Sequence, residues 1–401
     1  MSVVRLLHLT TVPMSLTFLR GQPGFLARRG IEVQALSSPD PELAAFGRAE
    51  GVPVHGVRML RQISPLHDLG ALLRIVRAIR RVRPHVVHAH TPKGGLLGML
   101  GAWLARVPVR VYHMRGLPMA TATGRRRTLL RTTERISCAL AHRVLCVSPS
   151  LRDVAVAEGL CPPDKITVPG GGSGQGVDAA GRFDPARLPE GTRAAVRAGF
   201  GIPADATVVG FIGRIVRDKG VAELAAAWAG LRDAFPEARL LVVGPFEPQD
   251  PLPPSVERAL RDDPRVVLAG EDWDTPRLYA AMDVVTLPSY REGFPNVPLE
   301  AAAMELPVVA TRVPGCVDAV ADGETGTLVP ARDAGGLERA HRAYLADPAL
   351  RRAHGRAGRA RVMREFRREL VWEALFAEYA RLLRERGLPA PAAAPLARDA
   401  A

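Results

Sequence analysis

The stretch VVHAHTPKGGLLGMLGAWLARVPVRVYH, residues 86–113, holds two short apolar runs with a longer one between them. The runs at 86–90 and 109–113 have the length of buried strands, whereas 94–106 is long enough to form a helix. Two such strands joined by a helix form a parallel βαβ unit. The stretch therefore predicts a parallel sheet with helices on both faces.

The same alternation continues on both sides of this stretch. Before it, strands are predicted at 3–9 and 31–36 and a helix at 66–83. A glycine-rich stretch at 169–176 and a polar segment to about residue 205 interrupt the pattern, which then restarts. The predicted fold class is α/β, with two doubly wound parallel-sheet domains that face a cleft and bind ligands at the carboxyl ends of their strands. Strands of the second domain are predicted at 207–212, 240–243, 266–269, 284–287, 308–310 and 327–329.

Charge is distributed unevenly between the two halves of the 401 residues. The formal net charge is +13, but residues 1–180 hold 24 Lys and Arg against 10 Asp and Glu, whereas the remainder holds 30 against 31. The composition, with 47% hydrophobic and 24% charged residues, argues against a disordered, collagen-like or coiled-coil chain. We therefore expect the first half to meet an anionic partner that the second half does not.

The cysteines and histidines give no sign of a metal site. The four cysteines form no CxxC pair, which favours free thiols in a reducing cytosol. His88 and His90 form a pair for which the sequence shows no third ligand, so we expect no metal ion. No N-terminal leader is recognisable, and the apolar stretch 94–109 is too short to span a bilayer. The expected location is the cytoplasm, in solution or at a membrane surface.

The first motif with chemical content is FIGRIVRDKG, residues 211–220, between a predicted strand and a helix. Its glycines and the helix start can present N–H groups to an anion, and Arg214 and Lys219 can hold two phosphates without a metal. The alternative is a pair of solvated surface cations. The chain has 51 Arg and only three Lys, so a lysine here departs from the usage of the chain.

The second motif is LPSYREGFPNVPLE, residues 287–300, which also follows a predicted strand. Glu300 lies at the start of an alanine-rich helix, where a carboxylate also simply favours the helix dipole. Glu292 lies in a tight loop with no helix to explain it. Both carboxylates are candidates for accepting hydrogen bonds from a polyhydroxyl ligand.

Together the two motifs resemble the donor site of retaining GT-B glycosyltransferases of family 4. That family has a Gly-Arg-x4-Lys-Gly segment followed by Pro-Ser-x2-Glu-Gly-Phe, with a second Glu eight positions on. The resemblance covers roughly residues 1–385 and implies two Rossmann-like domains. It implies an acceptor-binding domain at 1–185, a donor-binding domain at 186–364 and a C-terminal helix at 365–388 that packs back on the first domain. The Pro- and Ala-rich composition of 389–401 predicts a disordered tail.

The resemblance also implies roles for single residues. Arg214 and Lys219 would bind the donor diphosphate, Glu292 the sugar hydroxyls and Glu300 the ribose. Pro295 replaces the usual glycine and removes one N–H. Asp272-Trp273-Asp274 superficially matches a metal-binding Asp-x-Asp, but Thr275-Pro276 makes it a predicted helix start. Further implied donor contacts are Gly213, Gly270, Gly293, Phe294, Pro295 and Asn296.

Candidates in the first domain follow its strands. Where many members of the family have a catalytic His followed by Gly, this chain has Arg115 before Gly116, and His113 lies two positions earlier. Both are catalytic candidates, and Arg115 can stabilise a phosphate or oxyanion as well as His can. His113 as an ordinary strand-end histidine is the alternative. The acceptor or cleft residues are predicted to be Thr11, His90, Lys93, Gly94 and Gly176.

Two basic clusters lie in the first domain. The helix at 66–83 is predicted to bury Leu72, Leu73, Ile75, Val76 and Ile79 and to carry Arg74, Arg77 and Arg81 on an outer stripe. Arg125, Arg126 and Arg127 form the second cluster. Solvated helix faces are one interpretation and docking on an anionic membrane is the other. Binding to nucleic acid is disfavoured, because the basic segments have no interleaved aromatic residues.

The sequence thus predicts a retaining glycosyltransferase at the inner face of the cytoplasmic membrane. It would transfer a sugar from a nucleotide-diphosphate donor, with UDP the expected nucleotide, to a polyprenyl-diphosphate-linked or other glycan acceptor for surface polysaccharide. No metal or other cofactor is expected. A nucleotide-sugar epimerase on the same fold and a non-catalytic nucleotide-sugar or nucleic-acid binding protein are the alternatives.

Overall fold

The computed structural model describes residues 3–391, which form two compact units. The first unit holds the described residues up to Gln175 together with those from Glu369 onward, and the second is Gly176–Arg368. The second unit therefore begins at Gly176 rather than at residue 186. The boundary lies there because Val177 pairs with Arg367, beside Gly176, whose left-handed φ of 68° and contact with the Arg368 backbone leave no room for a side chain.

The first unit is a seven-stranded sheet in which all strand pairs are parallel. The strand order, β3-β2-β1-β4-β5-β6-β7, is that of a doubly wound fold, with the switch point between β1 and β4. Its elements are β1 (Val4–Leu9), α1 (Gln22–Ala27), β2 (Ile31–Ser37), α2 (Pro41–Glu50), β3 (Val54–Gly56), α3 (Pro65–Val82), β4 (Val86–His90), α4 (Pro92–Leu104), β5 (Val109–Met114), α5 (Gly124–Leu140), β6 (Arg143–Cys146), α6 (Pro149–Ala157) and β7 (Ile166–Thr167).

The second unit is a six-stranded parallel sheet with the same winding. Its order is β10-β9-β8-β11-β12-β13, so the switch point lies between β8 and β11. Its elements are α7 (Thr192–Gly199), β8 (Thr207–Ile212), α8 (Val221–Ala234), β9 (Ala238–Val243), α9 (Pro254–Asp262), β10 (Val266–Gly270), α10 (Thr275–Ala281), β11 (Val284–Leu287), α11 (Asn296–Ala303), β12 (Val308–Thr311), α12 (Cys316–Ala319), β13 (Gly326–Val329), α13 (Ala334–Ala346) and α14 (Pro348–Glu365).

The last helix, α15 (Arg368–Glu385), packs on the sheet of the first unit. Trp372, Phe376 and Tyr379 are buried there against β1, β2, β4 and β5. Ala390 also packs against this core, and the part of the predicted tail from 392 onward lies outside the described residues. Among residues 3–391, no helix combines the length and apolarity needed to cross a bilayer.

The predicted helix at 66–83 is present as α3, but two of its five predicted core residues are not buried, since Leu72 is only half-buried and Leu73 is exposed. Ala71, Ile75, Val76 and Ile79 form the buried face, whereas Leu73 is 50% exposed. At 100° per residue, Leu73 lies about 200° from Ala71 and Ile75 and so faces away from them. It belongs to an exposed apolar stripe with Leu66 and Leu69, which are 86% and 57% exposed.

Candidate functional site

The carboxyl edge of the second sheet brings together the two sequence motifs. The loop after β8 carries Arg214 and Lys219, and the loop after β11 carries Glu292. Gly220 lets these loops meet, because it has a left-handed φ of 68° and a Cβ there would lie 1.9 Å from the Pro288 carbonyl oxygen. The motifs therefore occupy the switch point of the sheet, between β8 and β11.

The centre of this edge is an ion pair between two predicted site residues. Lys219 Nζ lies 2.5 Å from Glu292 Oε1, and both side chains are largely buried. Arg214 is more exposed and forms an ion pair with Glu247 at 2.8 Å. Sequence reasoning missed Glu247, which lies after β9. The two predicted diphosphate-binding cations are thus each held by a carboxylate.

The loop after β11 is fixed by contacts that the motif did not reveal. Arg291 Nε pairs with Asp218 at 2.9 Å, and the Tyr290 N–H donates to the Asp218 carbonyl at 2.9 Å. Asp218 directly precedes Lys219, so these contacts join the backbones that carry Lys219 and Glu292. They fix the positions of Lys219 and Glu292 relative to each other.

Glu300 is the fifth of the eight residues of α11 rather than at its start, and it is held by a tyrosine. Tyr279 Oη donates to Glu300 Oε2 at 2.9 Å, and burial raises the pKa of Glu300. The Phe294 ring packs on Phe366 with ring centroids 5.4 Å apart, so this side chain faces the core of the unit. Pro295 immediately precedes α11 and Asn296 is its first residue. Gly293 is buried, and Gly213 follows β8 directly.

Both carboxylates of the Asp-x-Asp sequence pair with one arginine. Asp274 is the residue before α10, as predicted, although its side chain makes no capping hydrogen bond. Arg277 forms ion pairs with both Asp272 and Asp274. Gly270 ends β10 with a left-handed φ of 71°, and its carbonyl accepts from the Gly244 N–H at 2.7 Å.

The carboxyl edge of the first sheet holds a cluster of buried histidines. Parallel pairing sets His8 beside His88 and His90 beside His113. His8 Nδ1 lies 2.8 Å from His90 Nε2, and His88 Nδ1 lies 2.6 Å from Tyr379 Oη. Burial, together with the charge of Arg115, lowers the pKa of His8 to about 3 and lowers the pKa values of His90 and His113 well below 6.5. The cluster is therefore neutral at physiological pH.

The structure corrects the expectation that His88 and His90 lack a third ligand. His8, from β1, brings a ring nitrogen within 4.8 Å of those of His88 and His90. However, Arg115 Nε donates to His90 Nδ1 at 3.1 Å, which occupies the lone pair of that nitrogen. A cation bound at these three rings would also lie beside a guanidinium, so the electrostatics of the cluster do not suit one.

Of the other predicted acceptor or cleft residues, Thr11, Lys93 and Gly94 lie in or beside the start of α4. Thr11 and Thr91 share a hydrogen bond of 3.1 Å, and Gly94 lies close to the Thr11 backbone. Lys93 is neutralised, because its Nζ lies 2.6 Å from Asp68. His113 is a buried strand residue whose two ring nitrogens have no partner within residues 3–391, whereas Arg115 follows the strand and is partly exposed. Gly176 lies in the second unit, against the backbone of Arg368.

The two basic clusters are on the surface to different degrees. Arg74, Arg77 and Arg81 are exposed on α3, next to the apolar stripe of Leu66, Leu69 and Leu73. In the second cluster Arg125 and Arg126 are exposed. Arg127 forms an ion pair with Glu158 at 2.6 Å.

Known proteins resemble both units. Residues 25–172 match a family model described as a glycosyl transferase 4-like domain, and residues 206–347 match one described as glycosyl transferases group 1. A capsular polysaccharide biosynthesis glycosyltransferase, CapM of Staphylococcus aureus, is 33% identical over 95% of this chain and 98% of its own. An Escherichia coli UDP-Gal:alpha-D-GlcNAc-diphosphoundecaprenol alpha-1,3-galactosyltransferase is 25% identical over 69% of this chain and 70% of its own.

Solved structures share the fold at low identity. A glycosyltransferase from Rickettsia africae has a TM-score of 0.78 at 18% identity, covering 96% of this chain and 99% of its own. Anabaena Alr3699/HepE in complex with UDP has a TM-score of 0.77 at 19% identity, covering 95% and 100%. With its two parallel sheets, its matched family models and its full-length relative, this chain belongs to the group 1, 4-like glycosyltransferases and has the GT-B fold.

Proposed function

We propose that this glycosyltransferase transfers a sugar from a UDP-sugar, with retention of configuration and without a metal ion, to an acceptor linked to polyprenyl diphosphate. The observation that carries the donor assignment is the ion pair of Lys219 with Glu292 at the switch point of the second sheet. A diphosphate needs cations, and a sugar needs hydrogen-bond acceptors directly beside them. The pair supplies both within one contact.

The proposed chemistry uses fixed charges in place of a general base. When the bond from the sugar C1 to the diphosphate oxygen breaks, negative charge grows on the diphosphate, where Arg214 and Lys219 stabilise it. The acceptor hydroxyl approaches from the same face and forms the new bond to C1. Its proton passes to the departing phosphate oxygen. Glu292 then holds sugar hydroxyls and Glu300 holds the ribose.

The choice of donor and acceptor is supported by relatives. HepE, which shares the fold, was solved with UDP and with UDP-glucose. The relative from Escherichia coli is named for transfer to a sugar on diphosphoundecaprenol, and CapM for capsular polysaccharide biosynthesis. A lipid-linked acceptor in surface polysaccharide assembly is consistent with both names. In the first unit, Thr11, His90, Gly94 and Arg115 are proposed to face it.

Attachment to the inner face of the membrane is proposed through α3. Leu66, Leu69 and Leu73 expose apolar side chains, and Arg74, Arg77 and Arg81 are exposed on the same helix. Apolar groups gain by entering the interfacial region of a bilayer, while arginines bind its anionic headgroups. The net positive charge of the first half of the chain also favours binding to an anionic membrane surface.

A transfer assay with purified protein tests the function. UDP-, GDP- and ADP-sugars are each offered with a polyprenyl-diphosphate-linked sugar, and the product is examined for the configuration of the new bond. Arg214→Ala and Lys219→Ala should reduce turnover by about 100-fold or more, by loss of charge stabilisation in the transition state. Lys165→Ala is the matched control, since Lys165 lies in the first unit, where its Nζ donates to the Ala139 carbonyl. Epimerised nucleotide sugar without transfer would contradict the proposal.

A further inference from the structure

Arg115 is a desolvated cation without a counter-charge. Its Nε donates to His90, its Nη2 donates to the Gly174 carbonyl at 3.3 Å, and its guanidinium carbon lies 4.7 Å from the Phe18 ring centroid. Within the described part of the chain no carboxylate pairs with it. Arg197, which is 2% exposed, instead pairs with Asp283 at 2.8 Å. Burial lowers the pKa of Arg115 to about 10, so it is still charged at neutral pH.

Arg115 also fixes where the protons of two histidines lie. A guanidinium only donates, so His90 Nδ1 must carry a lone pair, and the single proton of the neutral ring is on Nε2. That N–H points to His8 Nδ1 at 2.8 Å, which must accept it. The proton of His8 is then on its own Nε2. The series Arg115, His90, His8 has one consistent direction of donation.

This arrangement suits an anion rather than a cation. The neighbouring rings of His88 and His113 are neutral and add no positive charge, and no carboxylate among residues 3–391 pairs with Arg115. A buried charge without a partner is costly to a fold and is compensated when an oppositely charged ligand binds. Arg115 is partly exposed, which leaves it accessible. A planar guanidinium matches a phosphate group through paired N–H donors.

We propose that Arg115 is a phosphate-binding residue of the first unit and that His90 and His8 are positioning residues, which hold it through their fixed order of protons. The ligand class is a diphosphate. Which diphosphate binds, that of the lipid-linked acceptor or that of the donor, rests on the proposed function. Phosphate binding itself does not, because it can be measured without turnover.

Binding to the full chain tests the phosphate site directly. Titrations with inorganic diphosphate, UDP and farnesyl diphosphate are compared between wild type and Arg115→Met, in a Lys219→Ala background that weakens the predicted donor site. Arg115→Met should lower the affinity for at least one probe about tenfold or more, and Arg115→Lys should lower it less. A farnesyl-specific loss assigns the acceptor phosphates and a UDP-specific loss the donor phosphates. Unchanged affinity for all three probes in a folded variant would overturn the site.

Matched histidine variants test the positioning role. His90→Leu removes the acceptor of Arg115, whereas His90→Asn keeps an oxygen at that place. His341→Leu is the control, because His341 is a fully buried histidine of the second unit with two unpartnered ring nitrogens. His90→Leu and His8→Phe should raise the KM of the phosphate substrate more than they lower kcat, and His90→Asn should restore part of the affinity. Equal affinity in His90→Leu, His341→Leu and wild type would overturn the positioning role.

The two failures can be told apart. If Arg115 binds diphosphate but no sugar is transferred, the proposed function fails and the phosphate site stands. If transfer proceeds while Arg115→Met retains its affinity for all three diphosphate probes, the phosphate site fails and the function stands.

Discussion

The carboxyl edges of the two sheets differ in how their charged side chains are paired. At the switch point of the first sheet, His8, His88 and His90 are neutral, and Arg115 has no carboxylate partner among the described residues. At the switch point of the second sheet, Lys219 and Glu292 form an ion pair. A cation that is already paired is held in place, but an anionic ligand must compete with the carboxylate partner for it. An unpaired cation is free for an anion, at a cost to the stability of its unit.

The largest expected effect of this difference is on acid stability. Four histidines of the first unit are buried and neutral, namely His8, His88, His90 and His113, against His341 in the second. Their pKa values are lowered on folding, so their stabilisation is present above about pH 6.5 and is lost as the pH falls. Each contributes up to about 1.4 kcal/mol per pH unit.

Buried carboxyl groups partly offset this loss in each unit. Burial raises the pKa of Glu134 in the first unit to about 7, and it raises that of Glu300 in the second. A raised carboxyl pKa increases stability as the pH falls through it. The first unit should therefore lose more stability than the second between pH 6 and 4.5, by up to about 1.4 kcal/mol per pH unit for each of its histidines that no carboxyl group offsets. Hydrogen exchange of each unit across this range measures it, and parallel loss in both units would contradict it.

The next largest effect should come from a substitution that leaves Lys219 without a carboxylate partner, as Arg115 is in the first unit. Glu292→Gln removes the partner charge of Lys219 while keeping the shape of the side chain. Binding of UDP should strengthen, because Lys219 is then free for the diphosphate. Turnover should fall about 100-fold, by loss of a charged hydrogen-bond acceptor to the sugar. Calorimetric titration with UDP and the transfer assay measure the two quantities, and weaker UDP binding would mean that the pair does not compete with the diphosphate.

The outer surface of α3 should give a smaller effect, on membrane affinity. Leu66→Ser exposes no core, since Leu66 is 86% exposed, and it should weaken binding to anionic vesicles about tenfold at every salt concentration. Reversing Arg74, Arg77 and Arg81 to Glu should remove the salt-dependent part instead. Trp273→Ser is the control, as an exposed apolar residue of the second unit. Vesicle sedimentation measures all three, and equal losses for Leu66→Ser and Trp273→Ser would argue against a specific face.

Much of this comparison could be predicted from the sequence, and the reasons are local. Long strands such as β8 are continuous apolar runs, and the two donor motifs combine rare Lys219 with an unexplained Glu292. The edge strands β3 and β7 were not predicted, because two or three residues are too few to show a period, and the four-residue strand β6 beside β7 was not predicted either.

The histidine cluster shows what a local pattern cannot predict. His8 and His90 are 82 positions apart, and they meet only because β1 pairs with β4 in one register. The spacing of His88 and His90 does place both on one face of a strand. It says nothing about His8 or Arg115, which come from other parts of the chain. Lys93 is similar, because its pairing with Asp68 depends on how α3 packs beside α4.

The smallest expected effect is that of a substitution at Tyr279. It distinguishes the ribose contact from the diphosphate contacts at the carboxyl edge of the second sheet. Tyr279 is fully buried and donates to Glu300 Oε2, so Tyr279→Phe removes one hydrogen bond and leaves the ring in place. Glu300 would then be less well oriented toward a ribose. UDP affinity should fall several-fold, since a hydrogen bond to a charged group contributes about 1.5 to 3 kcal/mol and the freed carboxylate can still bind the ribose. Affinity for inorganic diphosphate should not change, because the diphosphate contacts are assigned to Arg214 and Lys219. An equal loss for both ligands would place Glu300 among the phosphate contacts and not at the ribose.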